Sequence, residues 1–194
     1  MMYSRKQLYP LIILSMLMLL TMVSGTAVAH TILRIFHFWS FTASSLVFPW
    51  SFIINVLLAE CYKKQISFLV FCTAITLSLV FGIIAQNTIP ISLPFVLWGT
   101  CGSVVGFSAN TLVVTYRPPK RSYPFFLRYF LSTGLGELLL VTIVTFGVFL
   151  PLYPLYKVLQ IWLFSYISKI FLTFILAFPV RVLAYFFIRH YELH

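Results

Sequence analysis

The sequence predicts an all-α membrane protein, a single bundle of six transmembrane helices spanning residues 1–194. Composition gives the first reason: 61% of the 194 residues are hydrophobic and only 8% charged, against about 25% charged in soluble domains. Size gives the second. A soluble fold of this length has too much surface for its volume to hide so many apolar side chains, so lipid must solvate many of them. Run length gives the third. Six apolar runs approach or exceed the ~20 residues that cross about 30 Å of hydrocarbon at 1.5 Å rise per residue.

The expected spans are 8–29, 41–59, 66–85, 89–114, 125–150 and 158–188. The first follows Arg5 and Lys6 and ends at Ala27-Val28-Ala29. That arrangement also fits a secretory signal with a small-residue cleavage site, whose removal would leave five spans. The second opens on Phe48-Pro49, carries Ser51 and Asn55 four apart, and ends at Glu60. Pro49 frees a carbonyl four residues back, a break tolerated where it lines a cavity. The third follows Lys63 and Lys64. The fourth carries Gly99, Ser103, Gly106 and Asn110 on one stripe, a pattern that brings helices close together.

The fifth span holds Arg128, Ser132, Thr133 and Glu137, with Gly134 and Gly136 between them. Residues four apart share a helical face, so Arg128 lies over Ser132 and Thr133 over Glu137. The sixth holds Ser165, Lys169 and Thr173 on another such stripe. Charges at bilayer depth cost about 2.5–3.5 kcal/mol on insertion scales and are tolerated facing a partner, a cavity or a ligand. Glu137 and Lys169 are therefore natural partners, as a structural ion pair, a ligand-binding pair or both. Arg181, after Pro179, is near enough to a helix end to snorkel. Trp39, Trp50, Trp98 and Trp162 read as interface anchors; Trp50 and Trp98 could instead stack on a planar ligand.

Charge placement sets the expected topology. There are 13 Lys and Arg residues against three acids, a net +10. Arg5, Lys6, Lys63, Lys64, Arg117, Lys120, Arg121 and Arg189 fall on one side of the six spans, and Arg34 and Lys157 on the other. By the positive-inside rule both termini are cytoplasmic. The basic residues are scattered between apolar runs and form no patch for nucleic acid.

Several chemistries find no support. Cys61, Cys72 and Cys101 are odd in number and form no CxxC, so they read as buried thiols. No metal site, cofactor motif or catalytic set is expected. No histidine falls mid-span: His30 and His37 are in a loop, and His190 and His194 near the end. Walker, HExxH and GxSxG patterns are missing. The polar residues instead come from four helices, and their convergence would make the kind of internal site that transporters use.

Three stretches resemble the queuosine precursor transporter family. Phe48-Pro49 through Glu60-Cys61-Tyr62 resembles its FP…TD…E-x-YG. Leu127-Arg128 through Ser132-Thr133 resembles its LR…ST, with Glu137 where the family has Gln. Tyr166-Ile167-Ser168-Lys169 followed by Pro179 resembles its Y-x-x-K and proline, and Ser103 matches an Ala-Ser of the fourth span. The family's Thr-Asp reads Asn55-Val56 here, its fourth-span Arg reads Trp98, its Gln and Asp read Thr111 and Val114, and its fifth-span Asp reads Leu140.

The resemblance implies a multi-pass protein of the bacterial inner membrane that imports a 7-deazaguanine for tRNA modification. The cargo would be queuine or the cyano or aminomethyl precursor. Glu137 would accept from the lactam N–H and exocyclic amine together. Asn55 and Asn110 would serve the carbonyl and ring N–H groups, and Trp98 or Phe48 would stack on the ring. Glu60 or Glu137 would pair with a cationic amine. Arg128, Lys169, Ser132 and Thr133 complete the expected binding set, with the bilayer as the other partner. The alternative function is the substrate-binding subunit of an energy-coupling-factor vitamin importer, which docks its partners through an AxxxA pattern that the first span lacks. A non-transporting assembly factor would need no mid-membrane Glu and Lys.

Overall fold

The computed structural model describes residues 5–29, 31–35, 39–62, 64–89, 91–116 and 125–191. Of the residues named above, His30, His37, Lys63, Arg117, Lys120, Arg121 and His194 lie outside this set, as does the third acid, Glu192. So do the side chains of Arg5, Lys6, Arg34, Trp39 and His190.

Six helices pack into an all-α bundle: α1 Arg5–Val28, α2 Ser44–Cys61, α3 Lys64–Ala85, α4 Leu93–Thr115, α5 Phe125–Phe149 and α6 Leu155–Tyr191. Each is long and apolar enough to cross a membrane, and the chain is a multi-pass membrane protein. The connections α2–α3 and α5–α6 are short, so those neighbours run antiparallel. At 37 residues, α6 is about 55 Å long at 1.5 Å per residue, so it tilts or projects beyond ~30 Å of hydrocarbon.

One element differs from expectation. Between α1 and α2 the chain forms an antiparallel hairpin, β1 Ile32–Ile35 and β2 Trp39–Thr42, with Ile32 opposite Thr42. These residues are largely β-branched and aromatic, which suits a pleated ladder. The second helix consequently begins at Ser44, three residues later than residue 41. The fourth begins at Leu93, with Pro94 in its first turn, where a missing N–H leaves no helical hydrogen bond unmade.

Helix α2 is the axis of the bundle and packs against each of the other five helices. Its residues from Ser51 through Ala59 are all buried. Phe52 stacks on Phe107 at 4.2 Å between ring centroids, and Phe107 in turn lies against Phe71. Helices α4 and α5 touch backbone to backbone. A Cβ on Gly106 would lie 2.7 Å from the Gly136 carbonyl oxygen, and one on Gly136 would lie 2.8 Å from that of Gly106. Only glycine permits that approach.

Helix α1 is built into the bundle. Leu14, Met18 and Met22 join the main core cluster. Ser51 donates to Thr21 at 2.8 Å, and the Thr26 and Ser78 hydroxyls are 2.7 Å apart.

Candidate functional site

The polar residues separate into two regions along the bundle axis. The hairpin end contains β1, β2 and the starts of α2, α4 and α6. The opposite end contains the starts of α3 and α5.

A narrow cavity of about 40 Å³ lies in the hairpin half. That volume admits about three waters at roughly 10–15 Å³ each, and it is too small for a bicyclic base. Phe48 on α2, Gly99 and Ser103 on α4, Thr145 on α5, and Ser165 and Lys169 on α6 line it. Thr42 and Ser44 close it on the hairpin side. The Thr42 backbone N–H donates to Ser165 Oγ at 3.4 Å, tying β2 to α6.

Lys169 brings the charge to this cavity. Its Nζ donates to Glu137 Oε2 at 2.6 Å, the pairing that the helical stripes predict. The lysine is 2% exposed and the glutamate 0%. The ammonium also lies 5.1 Å from the Phe48 ring centroid, within range of a cation–π contact. Glu137 Oε1 is buried without a hydrogen-bond partner among the described residues, and so is Thr173 Oγ1. Buried polar atoms normally find partners, so each exception calls for a reason.

The geometry corrects the role expected for Glu137. The carboxylate does not line the cavity; Lys169 does, with Glu137 behind it. The longer lysine reaches the open space, while the glutamate stays between α5 and α6. Trp98 is corrected as well. It is 43% exposed on the outside of the bundle and its ring lies over Gly147, where it cannot stack on a ligand in the cavity. Of the two aromatic candidates, only Phe48 is in the wall.

The remaining expected site residues lie in the opposite half, and most of them satisfy one another. Asn55 Nδ2 donates to Asn110 Oδ1 at 2.7 Å and to Thr111 Oγ1 at 2.8 Å. Ser67 donates to Asn55 Oδ1 at 2.8 Å, and Asn110 Nδ2 reaches Thr133 Oγ1 at 3.4 Å. Both amides are wholly buried. They are engaged in holding α2, α3, α4 and α5 together, not in lining the cavity as expected for a base-binding pair. Ser132 donates back to the Tyr129 carbonyl of its own helix.

Arg128 and Glu60 form a second ion pair, at 2.7 Å, near the end of the bundle. Arg128 also donates to the Val114 carbonyl at 2.9 Å, in the last turn of α4. Helices α2, α4 and α5 thus meet at one guanidinium. Each residue was singled out by sequence alone, but nothing in their spacing paired them, since Arg128 shares its helical face with Ser132. Sequence reasoning also missed Thr145 and the network members Ser67 and Thr111. A lone hydroxyl in an apolar helix ordinarily bonds its own backbone, which leaves no signal.

A larger apolar groove of about 630 Å³ runs between α5 and α6 on the bundle's outer surface. It is lined by Phe130, Gly134, Leu138, Tyr166 and Phe174 among others and contains no charge.

Among the described residues no group of His, Cys, Asp or Glu is placed to hold a metal ion. Comparison with family models, with curated proteins and with solved structures finds no match for this chain.

Proposed function

We propose that this chain is a transporter that carries a small planar heterocycle across a bacterial inner membrane, with both termini on the cytoplasmic side. The cargo on this reading is a 7-deazaguanine used in making queuosine in tRNA, as the motif resemblance implies. The observation that carries it is the Glu137–Lys169 pair, sequestered mid-bundle beside a cavity with one carboxylate oxygen unused. A bundle held only by packing has no use for this arrangement, because replacing a buried pair with apolar residues is often neutral or stabilising. An intramembrane pair that borders open space is characteristic of a substrate path.

Phe48 supplies an aromatic face beside the ammonium. The cavity is smaller than the cargo, so entry requires α6 to draw Lys169 away from Phe48 and α2. The sealed opposite half, closed by the Asn55–Asn110 network and the Glu60–Arg128 pair, is the side that must open next. The eight basic residues at the termini and the even-numbered connections support the assignment of that half to the cytoplasmic side.

The test is uptake in a bacterium that lacks both its own deazaguanine transporter and its synthesis pathway. Queuosine in tRNA is read as a mobility shift on a boronate gel. The shift should depend on this chain and disappear with Lys169→Met at equal membrane abundance. A shift that survives Lys169→Met, or no shift with any deazaguanine, rules the reading out.

A further inference from the structure

The cavity wall carries information about the charge of what enters it. Among the described residues Lys169 is the only charged side chain that lines it. Two hydroxyls face the same space unused. Ser103 and Thr145 are 2% and 3% exposed, line the cavity, and form no hydrogen bond to any described residue. Other hydroxyls in the wall are already engaged: Thr26 with Ser78, Ser44 with Thr42, and Thr100 with the Val96 carbonyl.

Among the described residues no carboxylate lines the cavity to receive a cation. Glu137 is behind Lys169 and committed to it, Glu60 is paired with Arg128 at the other end, and the chain contains no Asp. A cationic cargo would face the Lys169 ammonium at short range in a medium that screens poorly. The unused Glu137 Oε1 is buried and Glu137 does not line the cavity, so a cation could reach it only by moving Lys169 aside, and two cations would then share one carboxylate. An anionic cargo would add an unneutralised charge beside a pair that is already neutral. A neutral acceptor has neither difficulty. The ammonium has three donors, one of them given to Glu137 Oε2. Two are left for a carbonyl or nitrile, and the Ser103 and Thr145 hydroxyls for a ring N–H or a second acceptor.

We infer, granted the transport reading above, that the Lys169–Ser103–Thr145 cavity selects an uncharged, acceptor-bearing cargo and rejects one that carries an ammonium group. Of the deazaguanine precursors, the cyano compound is neutral and ends in an acceptor. The aminomethyl compound has the same ring and ends in a cation.

The experiment is counterflow exchange in proteoliposomes of the purified full chain, with radiolabelled cyano and aminomethyl precursors in parallel. The cyano compound should exchange with a KM at least tenfold lower than the aminomethyl compound. Ser103→Ala combined with Thr145→Val should raise the cyano KM several-fold at unchanged reconstituted amount. Equal or better exchange of the aminomethyl compound overturns the charge selection and leaves transport standing. Exchange of neither compound overturns both. An unchanged KM in the double variant overturns the role of the hydroxyls.

Discussion

Among the described residues the bundle contains two Glu–basic ion pairs of nearly equal length, and their surroundings differ. Glu60–Arg128 is near a helix-bundle end, with side chains 8% and 14% exposed. Its guanidinium is further anchored on the Val114 carbonyl, and the amide network of Asn55 and Asn110 lies one to two turns away along α2 and α4. Glu137–Lys169 is fully buried, borders a cavity, and keeps an unused carboxylate oxygen. The first pair is part of a well-connected polar seam that closes α2, α4 and α5. The second is a half-satisfied network, which is costlier than an apolar core of the same shape. Its incompleteness, more than its charge, distinguishes a candidate site from a brace.

Breaking the second pair should have the largest effect. Glu137→Ala leaves Lys169 buried without a partner and should cost about 3–5 kcal/mol, seen as a lower unfolding temperature in detergent. Replacing both residues, as Glu137→Leu with Lys169→Met, should recover most of that stability while uptake stays absent. If uptake returned with stability, the pair would be only a brace like its counterpart. Next in size is Gly106→Val, which drives a side chain into the Gly136 carbonyl and should destabilise by about 1–3 kcal/mol through overpacking, again read by thermal unfolding.

Glu60→Gln should cost less than Glu137→Ala, because this pair is not fully buried and Arg128 keeps the Val114 carbonyl. A loss as large as that of Glu137→Ala would erase the contrast between the two regions. The smallest effect belongs to Gly99→Ala. No atom lies within 4 Å of a Cβ placed there, so stability should hold within about 0.5 kcal/mol. Enlarging a glycine at these two positions of one helix would thus separate the open half from the closed half.

Much of this was legible in the chain. The polar stripes of spans five and six predicted that Glu137 and Lys169 meet, because both are too deep to be left unpaired and no other acid lies at that depth. The glycine stripe of the fourth span predicted close packing, found between Gly106 and Gly136. Which polar residues face the cavity was not legible. Phe48 and Trp98 looked equivalent as aromatic candidates, yet one is in the wall and the other faces outward. A rotation of the helix by a fraction of a turn separates the two outcomes, and an apolar sequence does not reveal that rotation when lipid accepts the same side chains as the core. The hairpin was hidden for a related reason. Its apolar residues resemble the start of a span, and only cross-strand pairing tells them apart.

By itself the sequence determined the all-α class, the number of spans and their order, since hydrocarbon thickness and backbone hydrogen bonding leave few other solutions. Tertiary structure decided which helix is central. Helix α2 is the most buried of the six, yet its run is less apolar than those of α1 and α3. In water the most apolar segment goes inside. In lipid no such drive exists between helices, and α2 is held at the centre by side chains such as Asn55 and Ser51, whose hydrogen-bond partners lie on the helices around it.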